Sequence, residues 1–255
     1  MKYFRVATAR GAAWAREEGD RLRLLAGPPW EEPATRAESV PLAGARLLAP
    51  VTPSKIVAIG LNYKDHAAER GRPLPAEPLI FLKPPSAVIG PDAPVRKPAW
   101  AGRVDHEAEL AIVIGRTARG LPDLQAAHGY IFGATCANDI TARELQERDV
   151  QFTRAKSFDT FCPLGPCIAT GLELSRLEVI GRVNGKVRQR STTAELIFGP
   201  EHLVWFVSRV MTLLPGDIIC TGTPAGIGPL AAGDNVEVEV AGVGILRNPV
   251  LASGS

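Results

Sequence analysis

The sequence of 255 residues carries little net charge and no long apolar run, and each absence excludes a class of protein. Its formal net charge is +2, and no Lys/Arg cluster is interleaved with aromatic residues, so a nucleic-acid-binding function has little support. Apolar stretches such as 111–114 are far too short to span a bilayer, and residues 1–5 lack the apolar core of a signal peptide. We expect a cytoplasmic protein with neither a nucleic-acid nor a membrane partner.

Cysteine is also scarce, and no cysteine stands in a Cys-x-x-Cys or Cys/His zinc spacing. We expect reduced thiols that are mostly packed in the interior: Cys136, Cys162, Cys167 and Cys220. The Gly- and Thr-rich segment 220–229 offers backbone amides and hydroxyls to an anion. It has neither the Gly-Lys-Ser/Thr of a Walker loop nor the acidic partner of a dinucleotide fingerprint, so the sequence predicts no nucleotide site.

What is present is a pattern of many short strands and few helices, without a regular strand–helix alternation. This pattern favours an α+β, β-rich roll or sandwich decorated with short helices. We expect a small N-terminal β-containing domain over 1–50 and a larger domain over 51–255. Strands are predicted at 3–8, 22–25, 55–60, 79–82, 107–114, 130–137, 179–187 (with a hairpin turn at Asn184-Gly185), 217–221 and 236–240. Helices are predicted at 62–69, from a capping box at Thr141 and Glu144, and at 200–214.

Two glutamates, Glu107 and Glu109, interrupt an otherwise apolar predicted strand. Residues i and i+2 of a strand point to the same face, so the two carboxylates should lie a few ångströms apart. Like charges at that distance raise each other's pKa, and a buried charge costs several kcal/mol unless it is paired or binds a metal. A divalent cation resolves this conflict, whereas pairing with arginine on a solvated strand face is the alternative.

A third carboxylate, Asp139, follows the end of the predicted strand 130–137. Three carboxylates supply hard oxygen donors, which suit Mg²⁺ or Mn²⁺ and suit Zn²⁺ poorly. A turn or capping role for Asp139 is the alternative. The spacing of the three acidic residues predicts a metal site without excluding those structural roles.

The predicted helix 62–69 places His66 and Glu69 three residues apart, on one face. A glutamate that holds a histidine is the usual arrangement of a general base, although a histidine on a short helix can also serve packing or capping. Gly and Pro residues around this helix would let it move as a lid. Lys156, inside a mixed apolar segment, could face a substrate carboxylate or could be a surface lysine.

Together these residues resemble the fumarylacetoacetate hydrolase family. The matching motifs follow one another in the same order as in the family, over about three quarters of the chain. The matching motifs are Gly60-Leu-Asn-Tyr-Lys-Asp-His66, Phe81-Leu-Lys-Pro84, His106-Glu-Ala-Glu-Leu110, Asn138-Asp-Ile-Thr-Ala-Arg-Glu-Leu-Gln146, Ala155-Lys-Ser-Phe158, Val183-Asn-Gly185 and Thr221-Gly-Thr-Pro-Ala-Gly-Ile-Gly228. The resemblance implies a mixed β-sandwich roll, usually a homodimer, that holds Mg²⁺ or Mn²⁺.

Carried over position by position, the resemblance assigns roles to eight residues. The metal ligands would be Glu107, Glu109 and Asp139; the catalytic residues would be the lid dyad His66 and Glu69 together with Lys156; Gln146 and Thr223 would bind substrate. Some members carry an arginine where this chain has Leu61, so any role of that arginine is lost here.

The resemblance also implies the substrate class, a small-molecule 2-oxo acid that reacts through an enolate next to the metal. The motif Gly60-Leu-Asn-Tyr-Lys-Asp-His66, with leucine at position 61, is most similar to that of 2-hydroxyhepta-2,4-diene-1,7-dioate isomerase. The same branch includes its partner activity in aromatic catabolism, 5-oxopent-3-ene-1,2,5-tricarboxylate decarboxylase. An acylpyruvate hydrolase or an oxaloacetate decarboxylase would use the same residues. A non-catalytic binding module with this fold is the alternative from another class. Substrate length would depend on pocket walls such as the loop 70–77.

Overall fold

The structure, a computed structural model, describes residues 1–253 and is a β-rich α+β fold with short helices, as predicted. The strands are β1 Lys2–Thr8, β2 Gly11–Glu18, β3 Arg21–Leu25, β4 Thr35–Pro41, β5 Leu47–Leu48, β6 Ile56–Gly60, β7 Leu79–Lys83, β8 Val88–Ile89, β9 Val95–Lys97, β10 Val104–His106, β11 Ala108–Ile114, β12 Ile131–Asn138, β13 Thr141–Ala142, β14 Cys162–Ala169, β15 Glu178–Val183, β16 Lys186–Thr192, β17 Ile218–Cys220, β18 Gly228–Pro229, β19 Asn235–Val240 and β20 Gly244–Ala252. The helices are α1 Lys64–Glu69, α2 Leu124–His128, α3 Arg143–Arg148, α4 Thr153–Lys156 and α5 Pro200–Val210.

The strands form a mixed β-sandwich roll. The largest sheet has 12 strands, with the order β4-β3-β2-β1-β14-β12-β11-β17-β6-β7, to which β5 and β8 add at β1 and β14. A five-stranded sheet, β16-β15-β19-β20-β9, packs on it through apolar residues of both sheets, such as Leu110 with Val238 and Leu246. A three-stranded sheet, β13-β10-β18, lies beside the start of β11. Burial of both inner faces between two sheets is the physical basis of this architecture.

The first 50 residues extend the large sheet. Lys2 and Tyr3 of β1 pair with Ala169 and Ile168 of β14 in antiparallel register. Apolar side chains from this region, such as Phe4, belong to the same buried cluster as residues of β11, β12 and β19.

Helix α5 packs beside the five-stranded sheet on the same face of the large sheet, since Leu110 contacts one and Ile112 the other, two residues apart on β11. Its residues Leu203, Val204 and Val207 pack against Ile112 and Ile219. The helix residues are apolar and recur at helical spacing, and Pro200 stands at the first helical position, where proline is favoured, so burial and the proline both support the helix. No helix within residues 1–253 is long and apolar enough to cross a membrane.

Three local predictions were wrong in detail. Helix α5 ends at Val210 rather than at 214, because Leu213 instead forms a bridge with Ala118. The capping box is absent: Thr141 lies in β13 and donates its hydroxyl to the Asp139 carbonyl, and the Glu144 carboxylate accepts the Arg103 backbone N–H.

The predicted strand over 107–114 is also interrupted at its first residue. Glu107 separates β10 from β11, because its backbone N–H bonds to the Asn138 side chain instead of a strand partner. Several strands of the structure were not predicted from the sequence, among them β2, β4, β14 and β20.

Candidate metal centre and active site

The three acidic residues singled out in the sequence meet at one end of the β11–β12 pair. Glu109 lies on β11, Glu107 directly before that strand, and Asp139 directly after β12. The register, in which Ala108 faces Asn138, brings the start of β11 next to the end of β12. One oxygen from each carboxylate lies within 4.8 Å of the other two, and all three side chains are buried.

Positively charged side chains reach two of the three carboxylates. Lys156 Nζ donates to Glu107 Oε2 at 2.8 Å and to Asp139 Oδ2 at 2.5 Å. Arg143 donates to Glu107 Oε1 at 2.7 Å, and Lys83 donates to Asp139 Oδ1 at 2.5 Å. The lysine predicted to face a substrate is therefore buried among the predicted metal ligands.

Glu109 differs from the other two carboxylates, because within residues 1–253 it has no ion pair. Its side chain accepts one hydrogen bond, from the Gly222 backbone N–H at 2.8 Å. Burial, followed by the negative charges of Asp139 and Glu107, raises the pKa of Glu109 well above its ordinary value. Burial alone would also raise the pKa of Glu107, but the charges of Lys156 and Arg143 outweigh it and hold that pKa well below its ordinary value.

This donor set fits a divalent cation. A buried carboxylate without a positive partner is costly, and a cation among the three acidic groups would supply that partner. Three carboxylates without histidine or cysteine are the hard-oxygen donors that Mg²⁺ and Mn²⁺ prefer. Glu107 and Glu109 line an adjoining cavity from which such an ion could also be reached by a ligand.

The predicted dyad also forms, on helix α1. His66 Nδ1 lies 2.9 Å from Glu69 Oε2, and the other Glu69 oxygen accepts the Gly226 backbone N–H at 3.0 Å. Asp65, next to His66 on the helix, accepts a hydrogen bond from the Ser191 hydroxyl at 2.9 Å and so ties the helix to β16. Because Nδ1 is held by Glu69, Nε2 is the ring atom left to exchange a proton with a ligand.

His66 of the dyad and Glu107 and Glu109 of the acidic cluster line one cavity of about 360 Å³, a volume typical of a small-molecule site. Six of the predicted residues line it, and Glu69 and Asp139 contact lining residues from behind. The predicted residues that line it are His66, Glu107, Glu109, Gln146, Lys156 and Thr223. Apolar walls come from Ile59, Leu61, Leu79, Phe81 and Phe152.

Gln146 and Thr223, predicted to bind substrate, are already hydrogen-bonded within the protein. Gln146 accepts from Arg143. The Thr223 hydroxyl donates to the Ala108 carbonyl at 2.9 Å and accepts from Gln189 at 2.7 Å. A substrate carboxylate at Thr223 must therefore compete with Ala108 for the hydroxyl proton.

Four positively charged residues around this cavity had no predicted role. Lys83 and Arg143 lie inside sequence motifs that match the family, so their position within these motifs was the sequence feature from which a role could have been predicted. Arg70 and Arg72 line the cavity from the loop after α1; this loop, 70–77, was predicted to form a pocket wall, but no role was predicted for either arginine.

Two family models match almost the whole chain. Residues 55–251 match the family model described as fumarylacetoacetate (FAA) hydrolase C-terminal, and residues 1–50 match one described as Rv2993c-like, N-terminal. A crystal structure of 2-hydroxyhepta-2,4-diene-1,7-dioate isomerase from Mycobacterium marinum superimposes with a TM-score of 0.92 at 44% identity, covering 100% of both chains.

Two further relatives differ in their named activities. Oxaloacetate tautomerase fahd2, a mitochondrial protein of Xenopus laevis, is 42% identical over 218 residues, which cover 80% of this chain and 68% of that protein. Maleylpyruvate hydrolase from Sphingobium sp. SYK-6, solved with manganese(II) and pyruvate, superimposes with a TM-score of 0.82 at 30% identity and full coverage of both chains.

Proposed function

The chain belongs to the fumarylacetoacetate hydrolase family and is an enzyme, and we propose that it isomerises 2-hydroxyhepta-2,4-diene-1,7-dioate. One observation carries the proposal: His66, paired with Glu69 at 2.9 Å, lines the same cavity as the buried carboxylates Glu107 and Glu109. Such a cavity combines a group that moves protons with a site for a cation. The partner activity of the isomerase, decarboxylation of 5-oxopent-3-ene-1,2,5-tricarboxylate, would use the same cavity.

The reaction requires only the movement of protons. One proton leaves the 2-hydroxyl group and one is added at carbon 5, so that the 2,4-diene becomes a 2-oxo-3-ene. His66 would accept and return the proton at Nε2, while Glu69 stabilises the ring when it is charged. The apolar walls formed by Phe81 and Phe152 would exclude water from the diene.

Glu107, Glu109 and Asp139 would hold the divalent cation, which we propose to be Mg²⁺ with Mn²⁺ as the alternative. Such an ion supplies positive charge that stabilises an oxyanion developing at the 2-oxygen. Lys156 lies between Glu107 and Asp139 and would keep these carboxylates ionised and in place.

Oxaloacetate is the second candidate substrate, because a 42% identical relative is named for its tautomerisation. Keto–enol tautomerisation of oxaloacetate moves one proton between a carbon and the 2-oxygen, so it makes the same demand on His66. The cleavage of acylpyruvates and the decarboxylation of oxaloacetate are further reactions of a 2-oxo acid that this cavity could support.

The direct test is a steady-state ultraviolet assay of the purified protein with Mg²⁺. The diene dioate, oxaloacetate and acetylpyruvate are offered in parallel, with EDTA as the metal control and Mn²⁺ as the alternative ion. We expect the highest kcat/KM with the diene dioate, loss of turnover with EDTA, and a loss of about 10²–10⁴-fold in kcat for His66→Ala with Mg²⁺ affinity retained. Preference for oxaloacetate would establish the second candidate, and full activity in EDTA would overturn the metal assignment.

We also propose that the chain forms a homodimer. Strand β7 ends the large sheet, and Leu79 and Leu82 on it are exposed, as is Trp100. An exposed edge strand with apolar side chains is a surface that another chain can cover. Light scattering on the purified protein would give twice the chain mass of 27.2 kDa, and a mass of one chain would contradict the proposal.

A further inference from the structure

Two arginines that line the cavity, Arg70 and Arg72, have no ion-pair partner among residues 1–253. Both are exposed. The other two cations in the lining, Arg143 and Lys156, are buried and bound to Glu107. The charges of Arg70 and Arg72 are therefore available to a ligand, whereas those of the buried pair are already used.

The polarity of the cavity wall changes between its buried and exposed parts. The buried part of the wall carries Glu107 and Glu109, and the exposed part carries the two arginines. Apolar surface is added by Ile59, Phe81 and Phe152. Glu147 also lines the cavity, so one exposed carboxylate stands against two exposed guanidinium groups. This arrangement complements a molecule with a metal-binding head, a short carbon chain and an anionic tail.

The two arginines are also coupled to the dyad through the backbone. The Arg70 N–H donates to the His66 carbonyl at 3.0 Å, and the Arg72 N–H donates to the Ala67 carbonyl at 3.0 Å. A ligand held by these guanidinium groups would thus be held by the chain segment that carries His66. Binding of the tail would favour the helix position in which His66 faces the cavity.

We propose that Arg70 and Arg72 form the subsite for the second carboxylate of a 2-oxo or 2-hydroxy dicarboxylic acid and so determine specificity for dicarboxylates. This inference rests on the proposed function for the head of the substrate. Guanidinium groups suit the role because they bind a carboxylate through two parallel N–H groups and remain charged at every relevant pH.

A binding experiment separates this inference from the reaction itself. The probes are 2-oxopimelate, a seven-carbon 2-oxo dicarboxylate, and 2-oxoheptanoate, which has the same length but lacks the second carboxylate. Their Kd values are measured by calorimetry on the full-length protein with saturating Mg²⁺. The variants are Arg70→Met/Arg72→Met, which keeps apolar bulk, and Arg70→Lys/Arg72→Lys, which keeps charge without the planar fork.

The matched control is Arg36→Met/Arg119→Met, which removes the same charge from two exposed arginines that do not line the cavity. We expect the wild type and the control to bind 2-oxopimelate about tenfold more tightly than 2-oxoheptanoate, and the Arg70→Met/Arg72→Met variant to lose that difference. The lysine variant should retain part of the preference.

Each result can be assigned to one hypothesis. Equal loss of affinity for both probes in Arg70→Met/Arg72→Met, or a preserved preference for 2-oxopimelate, would overturn the subsite. A similar loss in the control would attribute the preference to net charge and would also overturn it. If neither probe binds the wild type in Mg²⁺, the proposed function fails as well, since the metal-binding head is common to both.

Discussion

The Glu69 carboxylate accepts a hydrogen bond of 3.0 Å from the backbone N–H of Gly226, which lies 157 residues further along the chain. This contact joins the helix of the dyad to the loop after β17. Gly226 has a φ of +96°, and a Cβ atom there would lie 2.1 Å from the Arg188 carbonyl oxygen. The position therefore requires glycine for both its backbone conformation and its close approach.

We expect Gly226→Ala to lower kcat more than it raises KM, because the loop must shift and release Glu69 from its partner. The control is Gly233→Ala: Gly233 has a φ of +95°, but its Cβ would meet no atom within 4 Å. The positive φ costs both variants about 1 kcal/mol, to which Gly226→Ala adds the clash with Arg188, and urea unfolding measures the total for each. Equal kcat values for the two variants would show that the contact with Gly226 does not position the dyad.

Glu109→Gln should weaken Mg²⁺ binding by at least about a hundredfold and abolish turnover, since loss of a ligand costs more than loss of a residue behind it. The metal-free variant should be as stable as the wild type or more stable, because a neutral amide replaces a buried carboxylate without an ion pair. Calorimetric titration with Mg²⁺ and thermal melting in EDTA measure the two effects. Glu38→Gln, in an exposed pair with Arg10, is the control, and a variant that binds Mg²⁺ like the wild type would remove Glu109 from the ligand set.

Lys156→Met should have the opposite effect on the metal-free protein. It removes the ammonium group that bridges Glu107 and Asp139, and because Arg143 and Lys83 still reach these carboxylates, the cost in the free energy of unfolding should stay below the roughly 3–5 kcal/mol of an unpaired buried charge. Mg²⁺ should recover a larger part of the stability in this variant than in the wild type, because the ion replaces the missing positive charge. Urea unfolding with EDTA and with Mg²⁺ tests this, with the exposed Lys64→Met as control; equal destabilisation in both conditions would argue against an ion at these carboxylates.

Removal of residues 1–50 should lower the melting temperature or the yield of soluble protein. The deletion takes away the β1 partner of β14 and uncovers apolar residues that pack with Phe4, such as those of β19. An unpaired strand edge beside exposed apolar surface favours association. A soluble 51–255 chain with the melting temperature of the whole protein would instead show that residues 51–255 fold without the first 50.

The local part of the site could be predicted from the sequence because it depends on short spacings. His66 and Glu69 share a helical turn, and Glu107 and Glu109 stand two residues apart in an extended segment, so both pairs are brought together by local geometry. The predicted capping box at Thr141 was wrong because a local spacing was outweighed by a contact between distant parts of the chain. Its spacing fits a helix start, but strand pairing of β13 with β10 competes for that segment and wins.

Sequence alone thus determined the β-rich class, the family motifs and the acidic residues, since composition, periodicity and spacing are properties of the chain itself. Tertiary structure decided which charges meet. Lys83 and Lys156 reach Asp139 from 56 and 17 residues away, and Gly226 reaches Glu69 from the far end of the chain. Such contacts follow from strand order and from the packing of two sheets, and a local pattern carries no information about either. For that reason only the folded chain brings Arg70 and Arg72, which form no ion pair within residues 1–253, to a cavity whose buried cations are already paired.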